Sequence, residues 1–360
     1  MEAATTGGFR TLRDLEEAGR RRCSPAVWAF VQGGAGEERA LERNRTAFGH
    51  HTVRPHVLTG VDRVDLSTRL LGQSVNAPFF ASPTAYQGLL HPDGELATAR
   101  AAASAGVLAA FSTLSSHPLE EIARAGGPAG GRWFQLYVQP DFAETQRLVQ
   151  RAETAGFKAL VLTADVPVLG VRDRQAEGGI ALDFVVPVGN GPNIQTPVRQ
   201  PERSGSEFTF RSASSTWALV DRLREVTRLP IVVKGILTAE DALKAVEHGA
   251  AAVVVSNHGG RQLDAAPATI DVLSSVVHAV GARCEVYLDG GVRRADDVLI
   301  ALSLGARAVG LGRPVLWALS AGGEAGVARL FSLLSTELAI DMALVGRRRI
   351  SDIDATLLGP

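Results

Sequence analysis

The chain has 360 residues, 46% of them hydrophobic, and its 37 Lys and Arg residues nearly balance its 38 Asp and Glu residues. This length and apolar content predict a globular protein with one large core or two modest ones. The formal net charge of −1 argues against nucleic acid as a partner and favours a small-molecule ligand.

Cysteine content and hydropathy indicate which cellular compartment to expect for the protein. Cys23 and Cys284 stand far apart in the sequence, so a reducing compartment is expected, and no Cys/His spacing indicates a metal site. The amino-terminal residues lack an apolar core, and no later apolar run approaches the ~20 residues that span a bilayer. We therefore expect a cytoplasmic protein without membrane association.

Eight short apolar runs recur along the chain, separated by segments with helical spacing. Because the runs are apolar on both faces, they are typical of strands in a parallel sheet. Several of the intervening segments end in Gly, which commonly stops a helix. The eight predicted strands are residues 78–83, 106–112, 132–138, 159–165, 230–235, 251–257, 285–291 and 307–313.

Eight strand–helix units between residues 78 and 345 predict a (β/α)8 TIM barrel, for which ~250 residues is typical. A doubly wound open sheet is the alternative, but the GxGxxG pattern is missing after the first strand. Residues 1–77 are predicted to be helices and connections that pack on the barrel within a single domain, 1–360. The interval 173–215, rich in Gly, Pro and Ser, predicts either an active-site lid or a disordered segment.

Polar residues gather where the predicted strands end. In a barrel of this type the carboxyl ends of the strands form the active-site face. A single Asp or Lys after a strand is more often a helix cap or a surface charge, but Lys234 follows an apolar run directly and needs an anion or an electron-rich ring beside it. The residues are Ser112, Gln135, Tyr137, Thr163, Asp165, Lys234, Ser256, His258, Asp289, Gly312 and Arg313.

Two glycine-rich segments follow the last two predicted strands, DGGVR at 289–293 and GLGRP at 310–314. Backbone amides freed by glycine, together with an arginine, make a phosphate cradle at the usual place for one in a barrel. Either segment alone could be a simple turn, and the pairing favours phosphate.

The segment VSNHGGRQLD at 255–264 combines a proton-transfer group with an anion-binding group. His258 is suited to moving a proton near neutral pH. The glycines allow the backbone to pass close to a ligand. Arg261 can hold a carboxylate with two parallel hydrogen bonds, whereas the alternative is a capped turn with an incidental His and Arg.

At these residues the chain resembles the FMN-dependent α-hydroxy acid oxidase and dehydrogenase family, which includes glycolate oxidase, lactate oxidase and mandelate dehydrogenase. The resemblance runs over almost the whole chain. Its motifs occur in the family's order and are GGAGEERALERNRTAF, APFFASPTAYQGLLHPDGE, WFQLYV, LTADVPVLGVR, LPIVVKGILTAEDA, SNHGGRQLD, LDGGVRRADDVL and GLGRPVLWAL.

The resemblance implies a role for each matching residue on the substrate side. His258 accepts the proton lost as C2 of the substrate is oxidised, and Asp165 hydrogen-bonds its imidazole. Arg261 and Arg172 bind the substrate carboxylate. Tyr137 hydrogen-bonds the substrate oxygen.

The cofactor implied by the resemblance is FMN, with Lys234 facing N1 and the C2 oxygen of the ring. The remaining implied contacts fall into three groups: Pro83, Thr84 and Ala85 along the isoalloxazine; Ser112, Gln135, Thr163 and Ser256 on the ring or ribityl chain; and Asp289, Gly291, Arg293, Gly312 and Arg313 on the ribityl chain and phosphate.

Two positions depart from the usual family pattern. Many members carry a tyrosine that binds the substrate carboxylate where this chain has Phe30, so the pocket is expected to be more apolar. Tyr86 is expected beside the substrate side chain or as a packing residue, and here the chain resembles hydroxymandelate oxidases. The stretch after Arg172 also differs from the family, which leaves the lid contacts open.

The resemblance thus implies oxidation of an (S)-2-hydroxy acid, with mandelate or 4-hydroxymandelate expected, O2 as acceptor and H2O2 as product, in a homotetramer. The alternatives within the family are a quinone or carrier acceptor, or an aliphatic substrate such as lactate or glycolate. Outside it, a barrel that uses Lys234 for a Schiff base and a binding barrel without turnover remain. Whether a hydride or a proton leaves C2 first is not decided by these residues.

Overall fold

A closed barrel of eight parallel strands forms the body of the protein. The computed structural model describes residues 8–174, 188–191 and 215–359, and within these ranges the strand order returns from the last barrel strand to the first. The barrel strands are β3 (Phe79–Ala81), β4 (Leu108–Ser112), β5 (Arg132–Leu136), β6 (Leu160–Thr163), β7 (Ile231–Ile236), β8 (Ala252–Val255), β9 (Glu285–Asp289) and β10 (Ala308–Leu311). The predicted (β/α)8 barrel is therefore confirmed, and the open doubly wound sheet is excluded because the sheet closes.

Helices surround the barrel. Seven strands lie inside the ranges that the sequence predicted, and β7 extends one residue beyond its predicted range, to Ile236. None of the helices in the described ranges is long and apolar enough to cross a membrane. The amino-terminal helices are α1 (Leu12–Arg22), α2 (Pro25–Gln32) and α3 (Arg39–Thr46), and the outer helices are α4 (Gly94–Ala105), α5 (Leu119–Gly126), α6 (Phe142–Thr154), α7 (Ala218–Val226), α8 (Ala239–Glu247), α9 (Thr269–Val280), α10 (Ala295–Ser303) and α11 (Arg313–Leu344).

One end of the barrel is closed by aromatic side chains, which we call the floor cluster: Phe80, Trp133 and Tyr287. All three are buried, and the Trp133 ring lies 5.7 Å from that of Phe80 and 5.4 Å from that of Tyr287. An antiparallel hairpin of β1 (Thr68–Leu70) and β2 (Gln73–Val75) covers this end. Aromatic packing at one end leaves the carboxyl ends of the strands as the face where polar groups collect.

The amino-terminal helices pack directly on the barrel. Helix α1 lies against α11, where a Cβ atom on Gly19 would come within 2.6 Å of the Trp317 carbonyl oxygen. The segment after α2 reaches the carboxyl face, where the Ala35 amide donates to the Gly260 carbonyl and the Gly36 amide donates to the Val171 carbonyl, each at 2.8 Å. This route brings α2 and α3 to the edge of the site.

The lid predicted for residues 173–215 lies mostly outside the described residues and stays a prediction. Within that interval the structure describes Val188–Gly191 and, at its two ends, residues 173–174 and 215. Asn190 is buried and binds back to the carboxyl end of β4, where the Asn190 amide donates to the Thr113 carbonyl at 2.8 Å.

Candidate active site

The carboxyl ends of the strands bring the predicted polar residues together on one face. Five of them lie on the strands themselves, and the others follow the strands directly. Ser112 ends β4, Gln135 lies in β5, Thr163 ends β6, Lys234 lies in β7 and Asp289 ends β9, whereas Tyr137 follows β5, Asp165 follows β6, Ser256 and His258 follow β8, Gly312 follows β10, and Arg313 begins α11.

His258 and Asp165 form a hydrogen-bonded pair at the centre of this face. The His258 Nδ1 atom lies 2.9 Å from an Asp165 carboxylate oxygen. Because the ionised carboxylate can only accept, Nδ1 carries the proton and Nε2 keeps its lone pair. The backbone of His258 is left-handed, with φ of 56°, and its amide donates to the Ser256 hydroxyl at 3.1 Å, so the ring direction is set by both backbone and side chain.

The electrostatic surroundings keep His258 neutral and Asp165 ionised. Burial lowers the pKa of His258, and the positive charges of Lys234 and Arg172 lower it further, while Asp165 opposes them. Burial alone would raise the pKa of Asp165, but His258 and Lys234 outweigh it, and the net direction is downward. A neutral imidazole held by an ionised carboxylate can act as a general base.

Two glycines allow close backbone packing around the His258–Asp165 pair. Gly235 in β7 has φ of 109°, and a Cβ atom there would lie 2.5 Å from the Cβ atom of Asp165. Gly260 has φ of 74°, and a Cβ atom would lie 2.6 Å from the Leu41 amide nitrogen of α3. Only glycine allows both the backbone conformation and the approach at these positions.

A buried polar network surrounds the ammonium group of Lys234. Its Nζ atom donates to the Ser256 hydroxyl at 2.7 Å and lies 3.4 Å from an Asp289 carboxylate oxygen. The Ser256 hydroxyl donates to Asp289 at 2.5 Å, and the Ser82 hydroxyl donates to the other Asp289 oxygen at 3.2 Å. Burial would lower the pKa of Lys234, but Asp289 and Asp165 outweigh it and raise the pKa overall. Lys234 is therefore a fixed positive charge beneath the site.

Two arginines supply a second positive region near His258. Arg261 Nη1 donates to the carbonyls of Phe30 at 2.9 Å and Gly33 at 2.6 Å, at the end of α2. The pKa of Arg261 is well below its usual value because of burial and the adjacent Arg172 and Arg313. The Nε atom of Arg172 is buried and has no hydrogen-bond partner among the described residues. A buried guanidinium nitrogen of this kind is suited to binding an anion.

Tyr137 lies within electrostatic range of the same cations. It influences the pKa of Arg172, Arg261 and Lys234, and its amide donates to the Thr113 hydroxyl at 3.0 Å. The geometry thus gathers a base, two guanidinium groups and a phenol on one face. This set can bind a carboxylate and take a proton from a neighbouring carbon or oxygen.

Neutral polar side chains line the neighbouring strands. The Ser112 hydroxyl donates to the Gln135 side-chain oxygen at 2.8 Å, and the Gln135 side-chain nitrogen donates to the Thr163 hydroxyl at 2.9 Å. The network links three adjacent strands without a charge. It can offer both donors and acceptors to the edge of a heterocyclic ring.

The two glycine-rich segments predicted to hold a phosphate lie at the last two strand–helix turns. Helix α11 begins after Gly312 without a side-chain cap, and a Cβ atom on Gly312 would meet no atom within 4 Å. Gly291 has φ of 89°, and a Cβ atom there would lie 1.9 Å from the Asn44 carbonyl oxygen. Free amides at a helix amino terminus attract a phosphate, because the helix dipole is positive there.

Two partly buried arginines, Arg293 and Arg313, belong to the same two segments. Burial and the neighbouring Arg45 lower the pKa of Arg293 to about 10, and burial and Arg293 lower the pKa of Arg313 to about 9. The guanidinium carbon of Arg293 lies 4.8 Å from the centre of the Trp317 ring. The uncapped helix, the two guanidinium groups and the buried Lys234 fit the phosphate and the ring of FMN.

The first strand turn and helix α2 place aromatic groups beside the arginines. Pro83, Thr84 and Ala85 follow β3, and Tyr86 comes next with a left-handed backbone at φ of 58°. The rings of Phe30 and Tyr86 lie 6.3 Å apart at an angle of 53°. The guanidinium carbon of Arg261 lies 5.2 Å from the centre of the Phe30 ring, so an aromatic ring packs against the guanidinium group.

The structure adds residues that the sequence did not single out. Ser82 follows β3 as the other polar residues follow their strands, so the same signal applied to it. Asn44 and Asn257 are buried and exchange two side-chain hydrogen bonds at 2.7 and 2.8 Å. The Gln262 amide donates to the Asp165 carbonyl at 2.9 Å. These last contacts join segments far apart in sequence, and no local pattern indicates them.

Comparison with known proteins agrees with this geometry. A family profile described as FMN-dependent dehydrogenase matches residues 19–360. L-lactate oxidase from Nostoc sp. is 44% identical over 362 residues, with 96% of this chain and 97% of that protein covered. 2-Hydroxyacid oxidase 2 from Homo sapiens is 42% identical over 347 residues, with 96% and 97% covered.

Solved structures of mandelate oxidase are similar over the whole fold. The complex with benzoyl-formic acid has a TM-score of 0.88 and 43% identity, and covers 98% of both chains. The complex with (S)-2-phenylpropionate has a TM-score of 0.87 at the same identity and coverage. With an FMN-dependent profile over nearly its full length and a site that fits the cofactor, the chain belongs to the FMN-dependent dehydrogenase family and takes FMN as its cofactor.

Proposed function

We propose that the protein oxidises an aromatic (S)-2-hydroxy acid, mandelate or 4-hydroxymandelate, to the 2-oxo acid and passes the electrons to O2, giving H2O2. The observation that carries this proposal is the aromatic pair of Phe30 and Tyr86, in which Phe30 lies beside Arg261, three residues after His258 in the chain. FMN, when bound, takes up the two electrons that the substrate loses. The residues described above bind, orient and deprotonate the substrate.

The substrate carboxylate is held by the two guanidinium groups of Arg261 and Arg172. Arg261 is already fixed by two carbonyls of the α2 end, so little side-chain freedom is lost on binding. Tyr137 hydrogen-bonds the substrate oxygen at C2. Together these contacts bring C2 and its hydroxyl to the free Nε2 atom of His258.

His258 accepts the proton that the substrate loses. Its lowered pKa leaves it neutral and ready at neutral pH, and Asp165 stabilises the imidazolium that forms. Lys234 stays protonated because Asp289 and Asp165 raise its pKa. It places a positive charge where negative charge develops on the cofactor side of the reaction.

The aromatic preference is supported by two independent observations. Phe30 has no hydroxyl to bind a carboxylate, and its ring, with that of Tyr86, offers an apolar surface suited to a phenyl group. The mandelate oxidase complexes named above bind benzoyl-formic acid and (S)-2-phenylpropionate, which carry a phenyl group.

An aliphatic acid is the second candidate, because L-lactate oxidase from Nostoc sp. is 44% identical to this chain. In that case Phe30 and Tyr86 serve as packing residues and the small substrate is held by Arg261, Arg172 and Tyr137 alone.

One experiment separates these candidates. The purified FMN-loaded protein is mixed, without oxygen, with the separate enantiomers of mandelate, 4-hydroxymandelate and lactate, and with achiral glycolate, and loss of the blue-light absorbance of the flavin is followed. Fast bleaching by the aromatic (S)-acids supports the proposal, and faster bleaching by (S)-lactate favours the second candidate. Adding O2 and measuring H2O2 then tests the acceptor, because a quinone- or carrier-dependent enzyme reoxidises slowly in O2.

A further inference from the structure

Glu95 is a buried carboxylic acid that forms no ion pair within 4 Å among the described residues. It lies in the first turn of α4 and is 0% exposed. One carboxylate oxygen accepts the amide of Gln87 at 3.1 Å and the amide of Ser116 at 3.0 Å. The other oxygen is buried and has no hydrogen-bond partner among the described residues. None of the roles described above uses this group.

The two amides that Glu95 accepts belong to different strand turns. Gln87 follows β3 and Ser116 follows β4, so a single oxygen joins the two loops. Further contacts run the same way: the Gly88 amide donates to the Ser116 hydroxyl at 2.9 Å, and the Tyr86 amide donates to the Leu114 carbonyl at 3.0 Å. Glu95 therefore holds the loop at residues 83–88 against the next loop.

The loop that Glu95 holds carries the residues proposed to face the flavin and the substrate. The Gln87 side-chain nitrogen donates to the Thr84 hydroxyl at 3.0 Å, and the Gln87 side-chain oxygen accepts the Thr98 hydroxyl of α4 at 2.6 Å. Tyr86 has φ of 58° and ψ of 41°, a left-handed conformation that a bulky residue adopts only when its surroundings enforce it. The contacts of Glu95 begin at the very next residue.

Burial and close packing surround this carboxyl group. Burial raises the pKa of Glu95, and the bonds from the amides of Ser116 and Gln87 offset this only in part. Close approach of α4 is allowed by Gly94, where a Cβ atom would lie 2.9 Å from the Gly88 amide nitrogen.

From this geometry we infer that Glu95 is a positioning residue for substrate choice: by accepting the amides of Gln87 and Ser116 it fixes Tyr86 against the aromatic side chain of the substrate. The inference rests on the proposed function, since it assigns Tyr86 to the substrate side chain. It concerns the distal part of the substrate and leaves the carboxylate and the proton transfer to the residues already described.

The test compares two substitutions of nearly equal size. Glu95→Met removes the hydrogen-bond acceptor but keeps an unbranched side chain of similar length, so the variant is expected to fold. Glu95→Gln keeps an oxygen for the same two amides. We expect Glu95→Met to lower kcat/KM for (S)-mandelate about tenfold, mainly through KM, and for (S)-lactate by less than about threefold, with Glu95→Gln restoring the wild-type ratio. Equal losses for both acids in Glu95→Met overturn the inference.

A second measurement does not depend on the substrate. The chain has three tyrosines, Tyr86, Tyr137 and Tyr287, so 3-fluorotyrosine gives three resonances in fluorine NMR of the FMN-loaded protein, and Tyr86→Phe assigns one of them. Glu95→Met is expected to shift or broaden the Tyr86 resonance and to leave that of Tyr287, in the floor cluster, unchanged. An unchanged Tyr86 resonance overturns the inference. If the wild type shows no preference for aromatic acids, the proposed substrate fails, and this measurement still decides the role of Glu95.

Discussion

The proton acceptor can be tested at a single side chain. His258→Gln keeps a polar side chain of similar reach but cannot accept a proton, so we expect anaerobic flavin reduction to slow at least ~100-fold while FMN stays bound. Stopped-flow bleaching measures the rate, and flavin content after gel filtration measures retention. The control is His278→Gln, an exposed histidine on α9, which should reduce at the wild-type rate. Near-normal reduction in His258→Gln would remove the base assignment.

Asp165, the partner of His258, is expected to affect both the rate of flavin reduction and the pH dependence of that rate. Asp165 raises the pKa of His258 against burial and the neighbouring cations, so Asp165→Asn is expected to move the acid limb of the rate profile to lower pH. The plateau rate should nevertheless fall at least ~100-fold, because an amide neither stabilises the imidazolium nor fixes its tautomer. The check is the pH profile of flavin reduction; an acid limb moving to higher pH contradicts the assignment.

In our assignment Phe30 faces the substrate and offers it no hydrogen-bonding group. Phe30→Tyr adds a hydroxyl near Arg261, and one new hydrogen bond to a carboxylate is worth roughly 1.5 kcal/mol, about tenfold in affinity. A small acid should gain most, because it depends on its carboxylate, so the ratio of kcat/KM for (S)-lactate to that for (S)-mandelate should rise. A constant ratio would mean that Phe30 does not face the substrate.

Among the secondary-structure elements, the amino terminus of α11 carries the cofactor phosphate in our assignment. A Cβ atom at Gly312 meets no protein atom within 4 Å, so Gly312→Ala should leave unfolding of the FMN-free protein nearly unchanged. A methyl group beside the free amides should hinder the phosphate, and we expect FMN to bind about tenfold more weakly, as measured by quenching of flavin fluorescence. Gly49→Ala is the control, since its Cβ atom also meets no atom within 4 Å.

How far the sequence predicts these elements depends on whether the signal is local. The eight strands follow from apolar runs, and the site residues at their carboxyl ends follow from the barrel geometry. The pairing of Asn44 with Asn257 does not, since it requires α3 to approach the turn after β8. Nor do the contacts of Glu95, because Gln87 and Ser116 meet only when two loops pack. Long-range contacts of this type leave no periodic pattern in the amino-acid sequence from which they could be predicted.

For the whole molecule, the main electrostatic feature is a group of partly buried guanidinium groups at the carboxyl face. Burial lowers the pKa of Arg172, Arg261, Arg293 and Arg313. Guanidinium groups nevertheless keep their charge, so the gathering of four like charges at one face opposes folding. An anion that binds among them should therefore stabilise the folded chain.

This balance predicts different effects from two forms of the same vitamin. FMN at a thousandfold excess over its Kd should stabilise the protein by ~4 kcal/mol and raise Tm by several degrees. Riboflavin has the same ring but no phosphate, so at equal concentration it should raise Tm much less. Thermal unfolding with each ligand provides the measurement, and equal shifts would show that the phosphate contacts contribute little.

The end of α2 also shapes how this enzyme can change over evolution or in the laboratory. The carbonyl of Gly33 accepts hydrogen bonds from Arg261 at 2.6 Å and from Arg313 at 2.9 Å, so one backbone oxygen orients both the arginine that we assign to the substrate and the arginine that we assign to the phosphate. A substitution that moves this turn to admit a new acid will also alter how firmly the flavin is retained. Libraries that diversify α2 should therefore be screened with FMN in excess, or improved variants will be discarded because they have lost their colour.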